Sequence, residues 1–117
     1  MSSVTTISTH VLDTAFGAPA ANVAVTLERM EAHGGTTTVS RGVTDVDGRL
    51  AELAPKDSAL HAGNYRMCFD VAGYFAATQR KSFYNEVCIN FQVASDPQHY
   101  HVPLLLSPFG YSTYRGS

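Results

Sequence analysis

The sequence offers little to a polyanion. Eight Lys and Arg stand against ten Asp and Glu, a formal charge of −2, so there is no basic field of the kind that attracts nucleic acid or an anionic membrane. Long apolar runs are missing too: nothing approaches the roughly 18 residues of a membrane span. The opening Met1-Ser2-Ser3-Val4-Thr5-Thr6 has no basic stretch leading into an apolar one. The expectation is a soluble, cytoplasmic protein. Only two cysteines occur, Cys68 and Cys88, without the CxxC spacing of a metal or redox motif or the density of a secreted scaffold; free thiols are predicted. No His-Glu-x-x-His helix and no Gly-x-Ser-x-Gly elbow is present, which removes the commonest zinc-protease and serine-hydrolase arrangements.

What is there is a chain with 44% apolar and 15% charged residues, a composition that buries a core. Its 117 residues suit one domain, taken as 1–117. Apolar residues recur at every second position in four short runs: Val23, Val25 and Leu27; Tyr65, Met67, Phe69 and Val71; Val87, Ile89, Phe91 and Val93; Tyr100, Val102, Leu104 and Leu106. A period of two puts each set on one face of a strand. Turn residues divide the runs at Gly17-Ala18-Pro19, His33-Gly34-Gly35 and Asp45-Val46-Asp47-Gly48. Between Gly73 and about Lys81 the alternation breaks, as a short helix or an irregular crossover would break it. About eight short strands, with no repeat and no linker, predict an all-β sandwich of two sheets.

The alternation also says which way the unusual residues face. With Tyr100, Val102 and Leu104 inward, His99 and His101 share the outer face. With Ile7 and Val11 inward, His10 points outward beside Ser8, and Leu12 falls on the same side. Arg49 follows the Asp47-Gly48 turn, and Ser112 and Tyr114 share one side ahead of Arg115, Gly116 and Ser117. Polar residues on a surface are ordinary; chemistry requires that these converge. His99-x-His101 is also a spacing that lets two imidazoles reach one zinc ion, but such a site needs at least three protein ligands. His10, His33, His61 or a carboxylate would have to complete it. Asp45-Val46-Asp47-Gly48 looks like a fragment of a calcium loop without the bidentate Glu at its twelfth position, so it is read as a turn.

As a set, these stretches resemble a known family. Ser8-Thr9-His10-Val11-Leu12-Asp13, Thr44-Asp45-Val46-Asp47-Gly48-Arg49, His99-Tyr100-His101-Val102-Pro103-Leu104-Leu105-Leu106-Ser107-Pro108 and Tyr111-Ser112-Thr113-Tyr114-Arg115-Gly116-Ser117 are similar to the transthyretin-like 5-hydroxyisourate hydrolases over essentially the whole chain. The terminal Tyr114 to Ser117 is the most specific part, because it separates those hydrolases from transthyretin, the hormone-carrying relative with the same fold. The resemblance implies two four-stranded sheets with one short helix, assembled as a homotetramer whose active sites lie in a channel between dimers. It implies a catalytic set of His10, Arg49, His101 and Ser117, with substrate contacts from His10, Arg49, Tyr114, Arg115 and Gly116; His99 is a neighbouring candidate.

The substrate implied is 5-hydroxyisourate, a product of urate oxidation. Water attacks its C6 carbonyl and the N1–C6 bond breaks, giving 2-oxo-4-hydroxy-4-carboxy-5-ureidoimidazoline. Water must lose a proton, an oxyanion must be stabilised and the leaving nitrogen must gain a proton. Imidazoles suit the proton transfers near neutral pH, and the Arg49 guanidinium would keep a neighbouring imidazole neutral while binding the anionic ring. No metal, cofactor, nucleic acid or membrane enters this scheme. Three rival readings remain at this point: a carrier holding an aromatic ligand in the same channel, a metal-dependent hydrolase built on His99 and His101, and a purely structural sandwich.

Overall fold

Strands form where apolar and polar residues alternate, and turns form where glycine, proline and aspartate interrupt them. The computed structural model describes residues 4–54 and 60–117. Among these lie β1 (Thr6–Asp13), β2 (Ala18–Pro19), β3 (Ala24–Met30), β4 (Thr36–Val43), β5 (Arg49–Leu50) and β6 (Gly63–Phe69). Helix α1 (Val71–Ala77) precedes β7 (Val87–Val93), β8 (His99–Ser107) and β9 (Gly110–Thr113). One sheet runs β4-β3-β6-β7, all antiparallel. The other runs β2-β1-β8-β9 and gains a fifth member, because the two-residue strands β2 and β5 both pair with β1. The predicted pair of four-stranded sheets is thus present, with β5 added beside β1.

The inward faces are those the alternation predicts. Val23, Val25, Leu27, Tyr65, Met67, Phe69, Val87, Leu104 and Leu106 are essentially inaccessible, while Ile89 and Phe91 pack against this core half-buried, from the edge strand β7. Burying each such side chain contributes roughly 1.5–3 kcal/mol. The helix begins two residues earlier than the break in alternation suggested, so Val71, read with Tyr65, Met67 and Phe69 as strand, is instead its first residue and is buried from there. Asp70 caps it by accepting from the Gly73 N–H at 3.0 Å. It closes sooner, too: Gln79 adopts φ 59°, and its N–H and that of Arg80 donate to the carbonyls of Ala76 and Phe75, the paired bonds of a left-handed C-terminal cap. Among the described residues no helix is long and apolar enough to cross a membrane.

One charged residue sits on the inner face. Asp13, at the end of β1, is 1% exposed and shares the parity of Ile7 and Val11. Its carboxylate accepts from the Tyr74 hydroxyl at 2.7 Å, from the backbone N–H groups of Ala15 and Phe16 at 3.1 Å, and from Arg80 in an ion pair. Burial alone would push the Asp13 carboxyl up, but the hydrogen bonds from Arg80, Tyr74 and Phe16 outweigh it and hold the group below its ordinary value. The Arg80 guanidinium in turn lies 3.7 Å from the centre of the Phe16 ring. The charge therefore pins α1 and the β1 to β2 turn to the sandwich. Both cysteines are free thiols, and burial raises each above the ordinary thiol range.

Candidate active site

The parallel pairing of β1 with β8 brings the separated histidines together. Ser8 lies opposite His101, Thr6 opposite His99, and His10 opposite Pro103. On the other edge of β1, β5 sets Arg49 directly across from His10. Because directly paired residues share a face, Thr6, Ser8, His10, Arg49, His99 and His101 all project from the outer side of this sheet. The tail joins them: the register of β9 on β8 continues past Thr113, and the Gly116 N–H donates to the His101 carbonyl at 2.8 Å.

Arg49 owes its position to the turn before it. Asp45 Oδ1 accepts from the N–H groups of both Asp47 and Arg49 at 2.9 Å, and Gly48 adopts φ 76° with its carbonyl accepting from Val11 N–H at 2.8 Å. A side chain at Gly48 would collide with the Val11 carbonyl, so glycine is needed both for the left-handed conformation and for the close approach to β1. The same turn offers the Asp47 carbonyl to His10 Nε2 at 2.9 Å. A carbonyl only accepts, so His10 carries its proton on Nε2 and leaves Nδ1 for a ligand.

The other two imidazoles are linked through hydroxyls. Ser8 Oγ stands 3.0 Å from His99 Nε2 and 2.8 Å from His101 Nδ1, and Thr6 Oγ1 stands 2.6 Å from His99 Nδ1. Ser8 has one hydrogen to give. If it donates to His99, His101 must hold a proton on Nδ1 and keep Nε2 bare. If it donates to His101, the tautomers of both rings reverse. The rings stack at 6.4 Å with 16° between planes. Burial pushes the His101 imidazole below the ordinary histidine value, with further lowering from the charges of His99, His10 and Arg49. Both effects favour the neutral ring. Gly116 lies against it, where a Cβ would overlap His101 Cδ2.

The remaining tail residues are placed differently. Tyr114 falls on the outer side by register and is exposed, and Ser117 follows Gly116 and is exposed. Arg115 has the opposite parity. Its guanidinium lies 4.7 Å from the Tyr100 ring centre and donates to Gln98 Oε1 at 2.8 Å and to the His99 carbonyl at 3.3 Å, so within one chain it does not face His10 and Arg49. One cleft is lined by Gly63, Gln92, Tyr100 and Arg115, and another by Ile89, Phe91, Tyr114 and Arg115; neither includes His10, Arg49 or His101. On the histidine face, His10 and His101 are half-buried and Arg49 is exposed. Among the described residues, His99 and His101 gather no third His, Cys or carboxylate within 4.8 Å to complete a metal set. The sequence placed Ser8 outward beside His10 but did not single out its hydroxyl link to His99 and His101, and Thr6, of the same parity, was not singled out at all.

A family model described as HIUase/Transthyretin matches residues 7–116. The chain belongs to the HIUase/Transthyretin family. Among relatives, the 5-hydroxyisourate hydrolase of Salmonella dublin is 43% identical over 111 residues, covering 95% of this chain and 80% of its own. Among solved structures, Klebsiella pneumoniae 5-hydroxyisourate hydrolase is 37% identical with a TM-score of 0.83, over 97% of this chain and 94% of that one. Sea bream transthyretin in complex with thyroxine is 32% identical with a TM-score of 0.87, over 94% and 93%. Backbone shape therefore does not separate the hydrolases from transthyretin within the HIUase/Transthyretin family. Side chains have to make that distinction.

Proposed function

We propose that this chain is a 5-hydroxyisourate hydrolase of urate degradation, cytoplasmic and independent of metal or cofactor. The observation that carries the proposal is the convergence of His10, Arg49 and His101 on one outer face, with Gly116 packed on the His101 ring. Three groups able to carry charge or move protons are ill suited to an apolar carrier site, where polar groups must be desolvated without a partner. They match the needs of a cyclic amide opened by water. The relatives named 5-hydroxyisourate hydrolase support the same substrate.

In this scheme His101, held neutral, removes a proton from water through Nε2 as the oxygen attacks C6. Arg49 binds the anionic ring and stabilises the oxyanion. His10 faces the substrate with Nδ1; when protonated there it delivers the proton to departing N1, yielding 2-oxo-4-hydroxy-4-carboxy-5-ureidoimidazoline. Tyr114, Gly116 and Ser117 shape the pocket, Ser117 next to the reacting centre, and Arg115 contributes by anchoring the tail on Tyr100 and Gln98. Since His10, Arg49 and His101 all reach the surface of one chain, a homotetramer with sites at the dimer–dimer interface supplies the opposite wall and keeps bulk solvent away from the reacting water.

The deciding experiment generates 5-hydroxyisourate in situ with a urate oxidase and follows its ultraviolet decay with and without the protein. Accelerated decay, proportional to added protein and insensitive to chelators, is expected; spontaneous decay at the same rate in both samples ends the proposal. Ser8→Ala tests the hydroxyl link. With no O–H to set the His101 tautomer, kcat should fall by about 10–100-fold, the usual effect of losing a group that orients a functional imidazole, with KM little changed. An unchanged kcat would remove Ser8 from the machinery.

A further inference from the structure

On the outer surface of the other sheet, far from the histidine face, β6 and β7 set two cysteines directly opposite each other. Cys68 pairs with Cys88, and because Met67, Phe69 and Val87 point inward, both thiols point away from the core. Their Sγ atoms are 2.9 Å apart. Each also meets a carboxylate: Cys68 Sγ is 3.5 Å from Glu28 Oε1, and Cys88 Sγ is 3.1 Å from Glu86 Oε1. Ligand atoms of Cys68, Cys88 and Glu86 all lie within 4.8 Å of one another.

We propose that Cys68, Cys88 and Glu86 bind a soft divalent cation of the zinc class, which ties the edge strand β7 to β6. Thiolate sulfur selects zinc or cadmium over magnesium or calcium, and a carboxylate oxygen is an accepted third donor. Sulfurs at ~2.3 Å from a tetrahedral ion stand about 3.8 Å apart, so the pair must open by less than an ångström, which a small rotation of the half-exposed Cys88 provides. Glu28 is already engaged by Arg66 at 2.8 Å, so water or a loosened Glu28 takes the fourth position. Binding releases two S–H protons to solvent as two metal–sulfur bonds form; no electron is transferred. A Cys68–Cys88 disulfide would need an external oxidant and makes no use of the flanking carboxylates. The spacing of 20 residues conceals this site in the sequence, because only strand pairing brings the thiols together. The site is independent of the hydrolase proposal.

The test titrates untagged full-length protein, reduced with a phosphine and stripped by chelator, with Cd²⁺ and separately Zn²⁺ under nitrogen. The expected result is one ion per chain at this site, a thiolate-to-cadmium charge-transfer band in the ultraviolet, loss of reactivity of both thiols and a higher Tm. Cys88→Ser should abolish the band and weaken this binding by more than ~100-fold, beyond the effect of losing an outer-shell partner. Glu86→Gln, which keeps both sulfurs, should keep the band at lower affinity. Uptake at the histidine face would give ion binding with no thiolate band and overturn the proposal, as would a band that survives in Cys88→Ser. A reduced protein that takes up no ion but forms the Cys68–Cys88 disulfide in air overturns it as well.

Discussion

Replacing His101 with Asn is expected to lower kcat by about 10²–10⁴-fold, the range for loss of a general base, with the fold intact. Asn retains a polar side chain of similar reach, and Ser8 and the Gly116 backbone still have partners. The pH profile gives a second, independent readout. Burial, and then the neighbouring charges of His99, His10 and Arg49, hold His101 below its ordinary value, so the base stays unprotonated as the solution becomes mildly acidic. The acid limb of kcat/KM should accordingly fall with a midpoint below the reference histidine value of about 6.5, and the Asn variant should lose that inflection. A near-normal rate in the variant would remove His101 from the chemistry and leave the hydrolase assignment in need of another base.

The second large effect concerns stability. Arg80→Ala is expected to lower the unfolding free energy by about 3–5 kcal/mol, the cost of stranding a buried charge without its partner, measured by urea denaturation. Asp13 is 1% exposed, and the substitution also removes the guanidinium stacked on Phe16. The sign of the pH dependence follows from the depressed carboxyl of Asp13. Its contribution is present above the unfolded carboxylate value of about 3.9 and is lost as pH falls through the lower folded value. The variant should therefore be less stable at neutral pH and show a weaker acid-side dependence. The double variant Asp13→Asn, Arg80→Met should recover much of the loss, because no charge is then buried. A change under about 1 kcal/mol in Arg80→Ala would mean that solvent reaches Asp13 in solution.

Alternation is a local property, and it located β3, β6, β7 and β8, their inward faces and the outward direction of His10, His99 and His101. Convergence depends on pairing. That β1 lies parallel to β8, and that two residues of β5 dock on the free edge of β1 so that Arg49 meets His10, comes from packing the two sheets and leaves no trace in a period of two. Asp13 was legible by parity, yet a charge on a core face only makes sense once Arg80 and Tyr74 are placed around it. The helix boundaries depended on cap chemistry: Asp70 starts it directly at the end of β6, and Gln79 in the left-handed region ends it. Arg115 shows a direction that parity alone decides. The resemblance groups it with Tyr114 and Gly116, while the register that Gly116 keeps with His101 beyond the end of β9 gives it the opposite parity, and its guanidinium lies by Tyr100.

The hydrogen bond between Ser8 and His101 joins positions 93 residues apart. A polypeptide emerging from the ribosome thus cannot assemble the proposed centre until β8 has been made and has paired with the first strand, and until β9 and the tail have folded back on β8. Until then that strand keeps one bare edge, able to recruit another molecule, so inactivity and a tendency to associate should come and go together during biosynthesis.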